Sequence, residues 1–326
     1  MLSRKLPQMR VLVTDYCAGR CIYCRPSGEG NLPCLNRDME YSTAISVAKI
    51  YRELGGKEIK ISGGDPVFWF GLCDYVKELK NTLRFEHVEV ITRSPKIRDS
   101  IESLSDNNLD LLNFSFDSLE PERYRKITGK NDFQPYIEAI IYGATKIPCK
   151  INMVVLHDTS LEEIDSMMNF CIEHHIRELK LLDYIDGLNG KYPLQNKNQA
   201  EQFSRIYEKL TALSEREIVY QGGFGHPMSQ FNVAKDFSVV CKDANFGSWY
   251  SDSCLQCANY PCHDALMAIR VTPTNSFQVC LLNKNLHWKF NAENMETQFH
   301  AALSVYDKAF FKGVANENNR ADSTQN

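Results

Sequence analysis

The sequence predicts an α/β protein built on a parallel sheet. Strand-like and helix-like stretches alternate from the first strand to about residue 220. The strand stretches are rich in β-branched residues, and the helix stretches repeat apolar residues at i, i+3, i+4 and i+7. With 326 residues, 43% of them hydrophobic, the chain can form one large domain or two of ordinary size. Six strand–helix units in series predict a parallel sheet that is either open and doubly wound or partly closed into a barrel.

The first two units follow from local signals in the sequence. Residues 9–14 form a β-branched run that predicts a buried strand, and the helix after it ends at Gly55-Gly56. Residues 57–61 predict a second strand, which runs directly into Ser62-Gly63-Gly64-Asp65-Pro66. Further strands are predicted at residues 88–92, 111–116, 151–156 and 179–184.

The later units carry equally local signals. Ser160 and Glu163 form a capping box that begins one helix, and a second helix has an apolar face from Phe203 to Leu210. The pattern breaks at residues 221–227. We therefore expect domains at residues 1–222 and 223–314, followed by a polar, frayed tail at 315–326.

Charge and hydropathy exclude several classes of function. The formal net charge of −4 argues against a general nucleic-acid coat. No signal-peptide core follows the first residues, and no run approaches 18 apolar residues, so neither secretion nor a membrane span is expected. We expect a cytoplasmic protein whose partners include no nucleic-acid polymer and no membrane.

The chain has twelve cysteines, and in a reducing compartment clustered cysteines bind metal more often than they form disulfides. One cluster comprises Cys17, Cys21 and Cys24. A second comprises Cys254, Cys257 and Cys262, with Cys280 following. The scattered ones are expected to be small buried side chains: Cys34, Cys73, Cys149, Cys171 and Cys241.

The first cluster has the spacing Cys-x3-Cys-x2-Cys, in a loop directly after the first strand. Loops that follow strands form the catalytic face of parallel barrels. Three thiolates can bind three irons of a [4Fe–4S] cubane, whose usual complement is four cysteines. The fourth iron then keeps an open coordination position, as reactive metal sites do. Zinc or free thiols are the alternative.

This segment resembles the signature of the radical S-adenosylmethionine (SAM) superfamily, and within it the GTP 3′,8-cyclase family of molybdenum cofactor biosynthesis. The residues shared with that signature are Arg10, Thr14, Asp15, Cys17, Arg20, Cys21, Tyr23, Cys24 and Pro26. Residues 62–66 resemble a second family motif, and residues 113–129 and 149–155 resemble further family segments. The resemblance spans roughly residues 10 to 285, and the order of its motifs makes it specific.

The resemblance implies a fold, a reaction and a set of site residues. The fold is a partial (β/α)6 TIM-like barrel with a smaller C-terminal auxiliary-cluster domain. In the reaction, the cluster on Cys17, Cys21 and Cys24 reduces SAM to a 5′-deoxyadenosyl radical, which abstracts hydrogen from a nucleotide, with GTP as the first hypothesis. A reductant such as flavodoxin or ferredoxin is implied as a partner. The implied SAM-binding residues are Tyr23, Gly63, Gly64, Asp65, Ser115 and Asn152. The implied substrate-binding residues are Arg10, Lys60, Thr92, Lys150 and Arg270.

The resemblance also implies an auxiliary [4Fe–4S] cluster on the second group of cysteines. The family has three cysteines there, whereas this chain offers Cys254, Cys257, Cys262 and Cys280. Three ligands leave an iron open to the substrate base, and four close the cluster, which then serves structure or electron transfer. A zinc ribbon is the third alternative.

Two differences from the family leave more than one substrate class possible. Lys60 and Ala268 stand where the family has arginines, and lysine lacks the bidentate fork of arginine. A relative acting on another nucleotide, a sugar or a peptide in natural-product biosynthesis is therefore the alternative enzyme. A zinc-binding interaction protein without catalysis is the alternative outside enzymes.

Overall fold

The fold is described from a computed structural model, which covers residues 6–24, 35–183, 199–220, 222–243, 246–262 and 266–313. Six parallel strands form its centre: β1 (Gln8–Leu12), β2 (Glu58–Ser62), β3 (His87–Thr92), β4 (Leu111–Ser115), β5 (Cys149–Val154) and β6 (Glu178–Leu182). Each lies within a few residues of its predicted position. The last residue of the sixth predicted strand, Tyr184, lies outside the described residues.

Helices connect these strands, as parallel pairing requires. They are α1 (Tyr41–Glu53), α2 (Leu72–Lys77), α3 (Ile101–Asp106), α4 (Pro121–Thr128), α5 (Phe133–Ala144), α6 (Leu161–Glu173) and α7 (Gln199–Thr211). The stop at Gly55 is confirmed, since this glycine has a φ of +95°. The capping box of Ser160 and Glu163 at the start of α6 is also confirmed.

The C-terminal third adds strands to both sides of the central six. Its elements are β7 (Arg216–Tyr220), β8 (Pro227–Ala234), β9 (Phe237–Lys242), β10 (Ser248–Tyr250), α8 (Asp252–Leu255), β11 (Ala268–Thr272), β12 (Ser276–Gln278), β13 (His287–Lys289), α9 (Met295–Ser304) and β14 (Phe310–Lys312). The main sheet has the order β13-β12-β11-β1-β2-β3-β4-β5-β6-β9-β8-β7, and β10 pairs with β14 separately.

Residue 222 lies between β7 and β8, which pair as an antiparallel hairpin of the same sheet. Because strands from both sides of this residue share one sheet, a separate domain at 223–314 stays a prediction. The tail from 315 lies outside the described residues. Helix α9 was not predicted, although Met295, Phe299, Ala302 and Leu303 form its buried, helically spaced face.

The sheet curls into a partial barrel, which confirms the fold that the resemblance implied. Alternate residues of each strand face the surrounding helices and form the hydrophobic core, for example Met9, Val11, Ile59 and Ile61. The residues between them face the concave side and are mostly polar. Among the scattered cysteines, Cys149, Cys171 and Cys241 are buried as expected, Cys73 is half-buried, and Cys34 lies outside the described residues.

Across the described ranges, no helix combines the length and the apolar character needed to cross a membrane.

Candidate active site on the concave face

The first cysteine loop follows β1 and is held by backbone hydrogen bonds to two neighbouring segments. Gly64 N–H donates to Thr14 O at 2.7 Å, and Asp65 N–H donates to Tyr16 O at 2.8 Å. On the other side, Arg20 N–H and Ile22 N–H donate to carbonyls at the end of α4, at 2.9 Å each. These hydrogen bonds hold the loop that carries Cys17, Cys21 and Cys24 against the segment after β2 and the end of α4.

The glycines of the second motif make this approach possible. A Cβ on Gly63 would lie 2.3 Å from Thr14 O, and a Cβ on Gly64 would lie 2.1 Å from Tyr16 O. Gly63 also has a φ of +144°, which glycine adopts at no steric cost. The sequence suggested that small residues here admit a ligand, and the structure adds that they admit the cysteine loop. Their contact with SAM stays a prediction.

Burial disfavours the charged thiolate form of two cysteines in this loop. Burial raises the pKa of Cys17 to about 12, with Asp65 adding to the effect, and burial raises the pKa of Cys21 to about 12 against the influence of Arg93. Gly19 N–H donates to Cys17 Sγ at 3.4 Å. Since metal ligation needs thiolates, bound iron would supply the positive charge that offsets the burial of these sulfurs. The donor set fits a cluster with one cysteine on each of three irons.

Arg93 is a neighbour of this loop that the sequence did not single out. Its Nε and Nη2 are buried and have no hydrogen-bond partner among the described residues. Its pKa is raised, because the attraction of Cys21, Tyr23 and other acidic groups outweighs the effect of burial. A buried guanidinium with unmet donors fits an anionic ligand beside the cysteines.

Two buried carboxylates connect the loop to the ends of the strands. Tyr23 Oη donates to Asp117 Oδ2 at 2.6 Å, and Asp117 Oδ1 accepts from Val154 N–H at 2.9 Å. Asp65 accepts from Thr92 Oγ1 at 2.7 Å and from Arg93 N–H at 2.9 Å. Burial raises the pKa of both carboxyl groups, and these hydrogen bonds oppose the rise.

The other predicted SAM-binding residues lie at the same end of the sheet. Ser115 and Asn152 are register partners on β4 and β5, so their side chains share the concave face. Asn152 Oδ1 is buried and has no hydrogen-bond partner among the described residues. This orphaned acceptor fits a ligand that donates a hydrogen bond.

A row of polar side chains crosses the concave face in strict register. Gln278 on β12 pairs with Arg270 on β11, Arg270 with Arg10 on β1, Arg10 with Lys60 on β2, and Lys60 with Glu89 on β3. Register partners in neighbouring strands point to the same face. The structure thus brings together three of the predicted substrate-binding residues.

Glu89, which the sequence did not single out, lies at the end of this row and contacts two lysines. Its carboxylate lies 2.8 Å from Lys60 Nζ and 3.0 Å from Lys150 Nζ, and it accepts from Asn113 Nδ2 at 2.7 Å. Burial opposes the charge of Glu89, but the two ammonium groups hold its pKa well below the usual range. Burial lowers the pKa of Lys60 to about 8, against the attraction of Glu89. Lys150 is also buried, yet the pull of Glu89 and Glu178 raises its pKa.

Lys180 on β6 adds a further cation to the concave face. It is 7% exposed, and no ion pair or hydrogen bond to its ammonium is seen within the described ranges. Burial and the nearby Lys150 lower its pKa well below the usual range. The sequence signal was the alternation in Glu-Leu-Lys-Leu-Leu, since a parallel strand buried in a core is continuously apolar.

Thr92 is the predicted substrate residue that the structure separates from the row. It lies three residues after Glu89 on β3, and alternation turns it to the opposite face. There its hydroxyl donates to Asp65 and accepts from Ser94 N–H at 3.2 Å. Its predicted contact with substrate stays a prediction, and the geometry gives it a structural partner instead.

The four cysteines of the C-terminal group line one pocket. The other lining residues are Asn259, Tyr260, Leu266, Leu282, Asn283 and Leu286. Ser251 N–H donates to Cys254 Sγ and Asn283 N–H to Cys280 Sγ, both at 3.4 Å. The pocket therefore combines four sulfurs, amide donors to two of them, and apolar walls, which fits an iron–sulfur cluster. How many of these cysteines bind iron stays a prediction.

Neither cysteine group is arranged around a single point. Among the described residues, no three His, Cys, Asp or Glu side chains converge as ligands of one metal ion. A cubane does not require such convergence, since each of its cysteines binds a different iron.

Residues 11–171 match the family model of the Radical SAM superfamily. These residues, just under half of the chain, form a domain of this superfamily.

Several curated relatives are GTP 3′,8-cyclases. The chain is 35% identical to a probable GTP 3′,8-cyclase of Methanothermobacter marburgensis over 173 residues, which are 52% of this chain and 54% of the relative. It is 29% identical to the enzyme of Petrotoga mobilis over 58% of this chain and 61% of the relative. For the enzyme of Clostridium perfringens the identity is 26%, over 88% of this chain and 83% of the relative. The chain thus spans little more than half of the first two relatives.

Solved structures share the fold at low identity. Streptococcus suis SuiB bound to the precursor peptide SuiA has a TM-score of 0.63 at 15% identity, over 90% of this chain and 64% of that chain. The structure of anSMEcpe with bound AdoMet has a TM-score of 0.61 at 14% identity, over 91% of this chain and 82% of that chain. At these identities the likeness concerns the fold alone.

Proposed function

We propose that this radical SAM enzyme abstracts a hydrogen atom from a nucleotide bound on the concave face, in a reaction like that of a GTP 3′,8-cyclase. The observation that carries the proposal is the cationic row on that face. The row begins two residues from Cys280, a lining residue of the second cysteine pocket, and shares β1 with the first cysteine loop. A substrate on this row lies between the two cysteine sites.

Cys17, Cys21 and Cys24 would hold the first [4Fe–4S] cluster. When bound and reduced, this cluster and SAM together supply the 5′-deoxyadenosyl radical that abstracts the hydrogen atom. The chain itself holds the loop rigid through Gly64 and Asp65. Cys254, Cys257, Cys262 and Cys280 would hold an auxiliary [4Fe–4S] cluster.

The residues around the first loop are suited to SAM. We assign SAM binding to Tyr23, Gly63, Gly64, Asp65, Ser115 and Asn152. Asn152 Oδ1 is an acceptor with no protein partner among the described residues, and it matches the amino or hydroxyl donors of SAM. Arg93 offers two unmet donors near Cys21, which match the carboxylate of SAM.

The charge of the concave face is suited to phosphate groups. Arg10, Lys60, Lys150 and Arg270 are the predicted substrate cations, and Lys180 joins them on the same face. Lys180 makes no ion pair among the described residues, so an anionic ligand stabilises its charged form. By analogy with the names of the relatives, a hydrogen atom would be taken from C3′ of GTP, and the carbon radical left there would add to C8. One electron from the reductant and one proton would then complete the cyclised product.

The alternative substrate class is favoured by one observation. Glu89 already pairs with Lys60 and Lys150, which lowers the positive charge left for a triphosphate. A less anionic nucleotide, a sugar or a peptide as substrate would match this pairing.

One experiment tests the proposal and the alternative together. Protein reconstituted under anaerobic conditions is reduced chemically or with flavodoxin, and SAM cleavage to 5′-deoxyadenosine is measured with a panel of nucleotides, sugars and peptides. We expect GTP to accelerate cleavage and to be converted to a cyclised product. A panel member of another class that accelerates cleavage, with GTP inert, contradicts the nucleotide proposal.

Reconstitution itself tests the cofactors. Two cubanes correspond to about eight irons per chain. A protein that takes up zinc and no iron contradicts both cluster assignments.

A further inference from the structure

Gln278 is a buried amide without hydrogen-bond partners among the described residues. Its side chain is 1% exposed, and within the described ranges neither Nε2 nor Oε1 has a hydrogen-bond partner. Gln278 was not among the predicted site residues. Its neighbours in the sequence, Phe277 and Val279, are core residues, so nothing in the local composition requires an amide here.

The register of β12 defines which face this amide lies on. Phe277 faces the helix side and stacks on Phe290 with ring centroids 4.4 Å apart. Gln278 alternates to the other face, where it pairs in register with His287 on β13 and with Arg270 on β11. From Arg270 the row continues through Arg10 and Lys60. Two residues further along the chain, Cys280 lines the second cysteine pocket. Gln278 therefore lies on the concave face, at the pocket end of the cationic row.

An unpaired amide at this position destabilises the fold. Burying an amide without a hydrogen bond costs about 1–3 kcal/mol. A methionine or leucine has a similar volume and no such penalty, so stability alone favours an apolar residue. Polar groups that lower stability in this way are expected where a ligand meets them.

The amide also has a defined chemical complement. Its nitrogen donates and its oxygen accepts, side by side in one plane. This arrangement matches a planar edge that carries one acceptor beside one donor, as the edges of nucleobases do. Arg270 next to it supplies a charge, and Gln278 supplies a neutral, directional contact.

We propose that Gln278 is a specificity residue that binds the base edge of the nucleotide beside the second cysteine pocket. The inference rests on the proposed nucleotide substrate. Gln278 Nε2 donates to the acceptor of the base, and Oε1 accepts from the adjacent N–H. This contact holds the base whether or not an iron of the auxiliary cluster is open, which matters because four cysteines line the pocket.

The test separates recognition of the base from recognition of the phosphates. GTP and inorganic tripolyphosphate are bound to the reconstituted protein in equilibrium dialysis, without turnover. The wild-type protein is compared with Gln278→Met. The control is Gln230→Met on β8, where the amide donates to Asn232 Oδ1 at 3.0 Å and is partly exposed. Melting temperatures are measured for all three proteins.

We expect GTP to bind more tightly than tripolyphosphate to the wild-type protein. In Gln278→Met the ratio of GTP affinity to tripolyphosphate affinity should fall roughly 10- to 100-fold, which corresponds to the loss of one bidentate base contact. Tripolyphosphate affinity should stay unchanged, and the melting temperature should stay equal or rise. Gln230→Met should bind both ligands as the wild type does.

Four results overturn the proposal. Unchanged GTP affinity in Gln278→Met, or an equal loss for both ligands, removes Gln278 from base recognition and leaves the nucleotide function standing. A wild-type protein that binds neither ligand contradicts the proposed function itself. If Gln278→Met does not fold, Gln278→Asn, which keeps the amide one methylene shorter, is measured in its place, and GTP affinity equal to wild type then contradicts the proposal.

Discussion

The two cysteine sites differ in how the chain builds them. The first is a loop tied by backbone hydrogen bonds to the segment after β2 and to the end of α4, with charged groups such as Asp65, Arg93 and Asp117 close by. The second is a pocket with apolar walls, in which four sulfurs come from two separate stretches of chain. A charged, fixed loop with three sulfurs suits a reactive cluster that must hold a ligand. Apolar walls and four sulfurs suit a cluster whose surroundings are closed.

The largest effect should come from the cysteines themselves. Cys24→Ala should reduce SAM cleavage by about a thousandfold or more, because enzymatic rate enhancements of this size depend on the reactive group. Cys257→Ala in the pocket should leave SAM cleavage measurable while product formation is lost. Release of 5′-deoxyadenosine, measured by liquid chromatography, distinguishes the two outcomes.

Cys73→Ala is the matched control for this comparison, because Cys73 is half-buried in α2 and outside both groups. Equal loss of SAM cleavage in Cys24→Ala and Cys257→Ala would contradict the assignment of separate roles to the two sites.

The first site was predictable from sequence because its ligands are local. Cys17, Cys21 and Cys24 lie within one loop, and the glycine motif that holds the loop follows the next strand. The six central strands were predictable for the same reason, since each carries its own alternation. The second site depends on a contact between distant segments, so residue spacing alone could only name four candidate cysteines. The resemblance implied that they form one auxiliary site, and the structure shows that they line one pocket.

Some residues of the concave face were predicted from sequence, and the pairing register of the strands explains why the others were not. Arg10, Lys60 and Arg270 were identified through resemblance, and the structure aligns them. Glu89 and Gln278 complete the same row, but they could not be predicted because local sequence patterns do not define the register between strands. Thr92 was identified in the same way, but it lies three residues after Glu89 on β3 and therefore on the other face, so its contact with substrate stays a prediction.

The second largest effect should come from Gly64. A Cβ there meets Tyr16 O at 2.1 Å, so Gly64→Ala forces the cysteine loop away from β2. We expect the free energy of unfolding to fall by about 3 kcal/mol, at the upper end for an overpacked site. Urea denaturation of the apoprotein measures this, and iron content reports the loss of the first cluster.

Gly55→Ala is the control for backbone strain. Gly55 has a φ of +95°, and a Cβ added to it would meet nothing within 4 Å, so the substitution adds strain without a clash. It should cost only about 1 kcal/mol. Equal destabilisation by the two substitutions would show that the close approach to the loop contributes nothing.

The affinity of the concave face for anions should depend on pH, because Lys60 loses its proton within the measured range. Its pKa lies at about 8, because burial outweighs Glu89 and because Lys150 and Arg10 also face it. The ammonium is charged below that pH and loses its proton above it. Affinity for tripolyphosphate should therefore fall roughly tenfold between about pH 7 and about pH 9. Titration calorimetry across this range measures the change.

Lys60→Arg should flatten this profile, because arginine keeps its charge throughout the range. A wild-type affinity that stays constant across the range would remove Lys60 from the anion site. A steep profile that persists in Lys60→Arg would assign the titration to another group.

The smallest expected effect is a change in iron content, and it shows how many cysteines bind iron at the second site. We expect all four cysteines to bind iron, because all four line one pocket and amides donate to the sulfurs of Cys254 and Cys280. Each single Cys→Ala variant should then lower iron from about eight to about four per chain, with the first cluster intact. Cys171→Ala, in the core of α6, is the control and should keep all its iron. If one pocket variant retains its iron, three cysteines suffice, and one iron of the auxiliary cluster would be left open beside Gln278, where it could bind the base together with the amide.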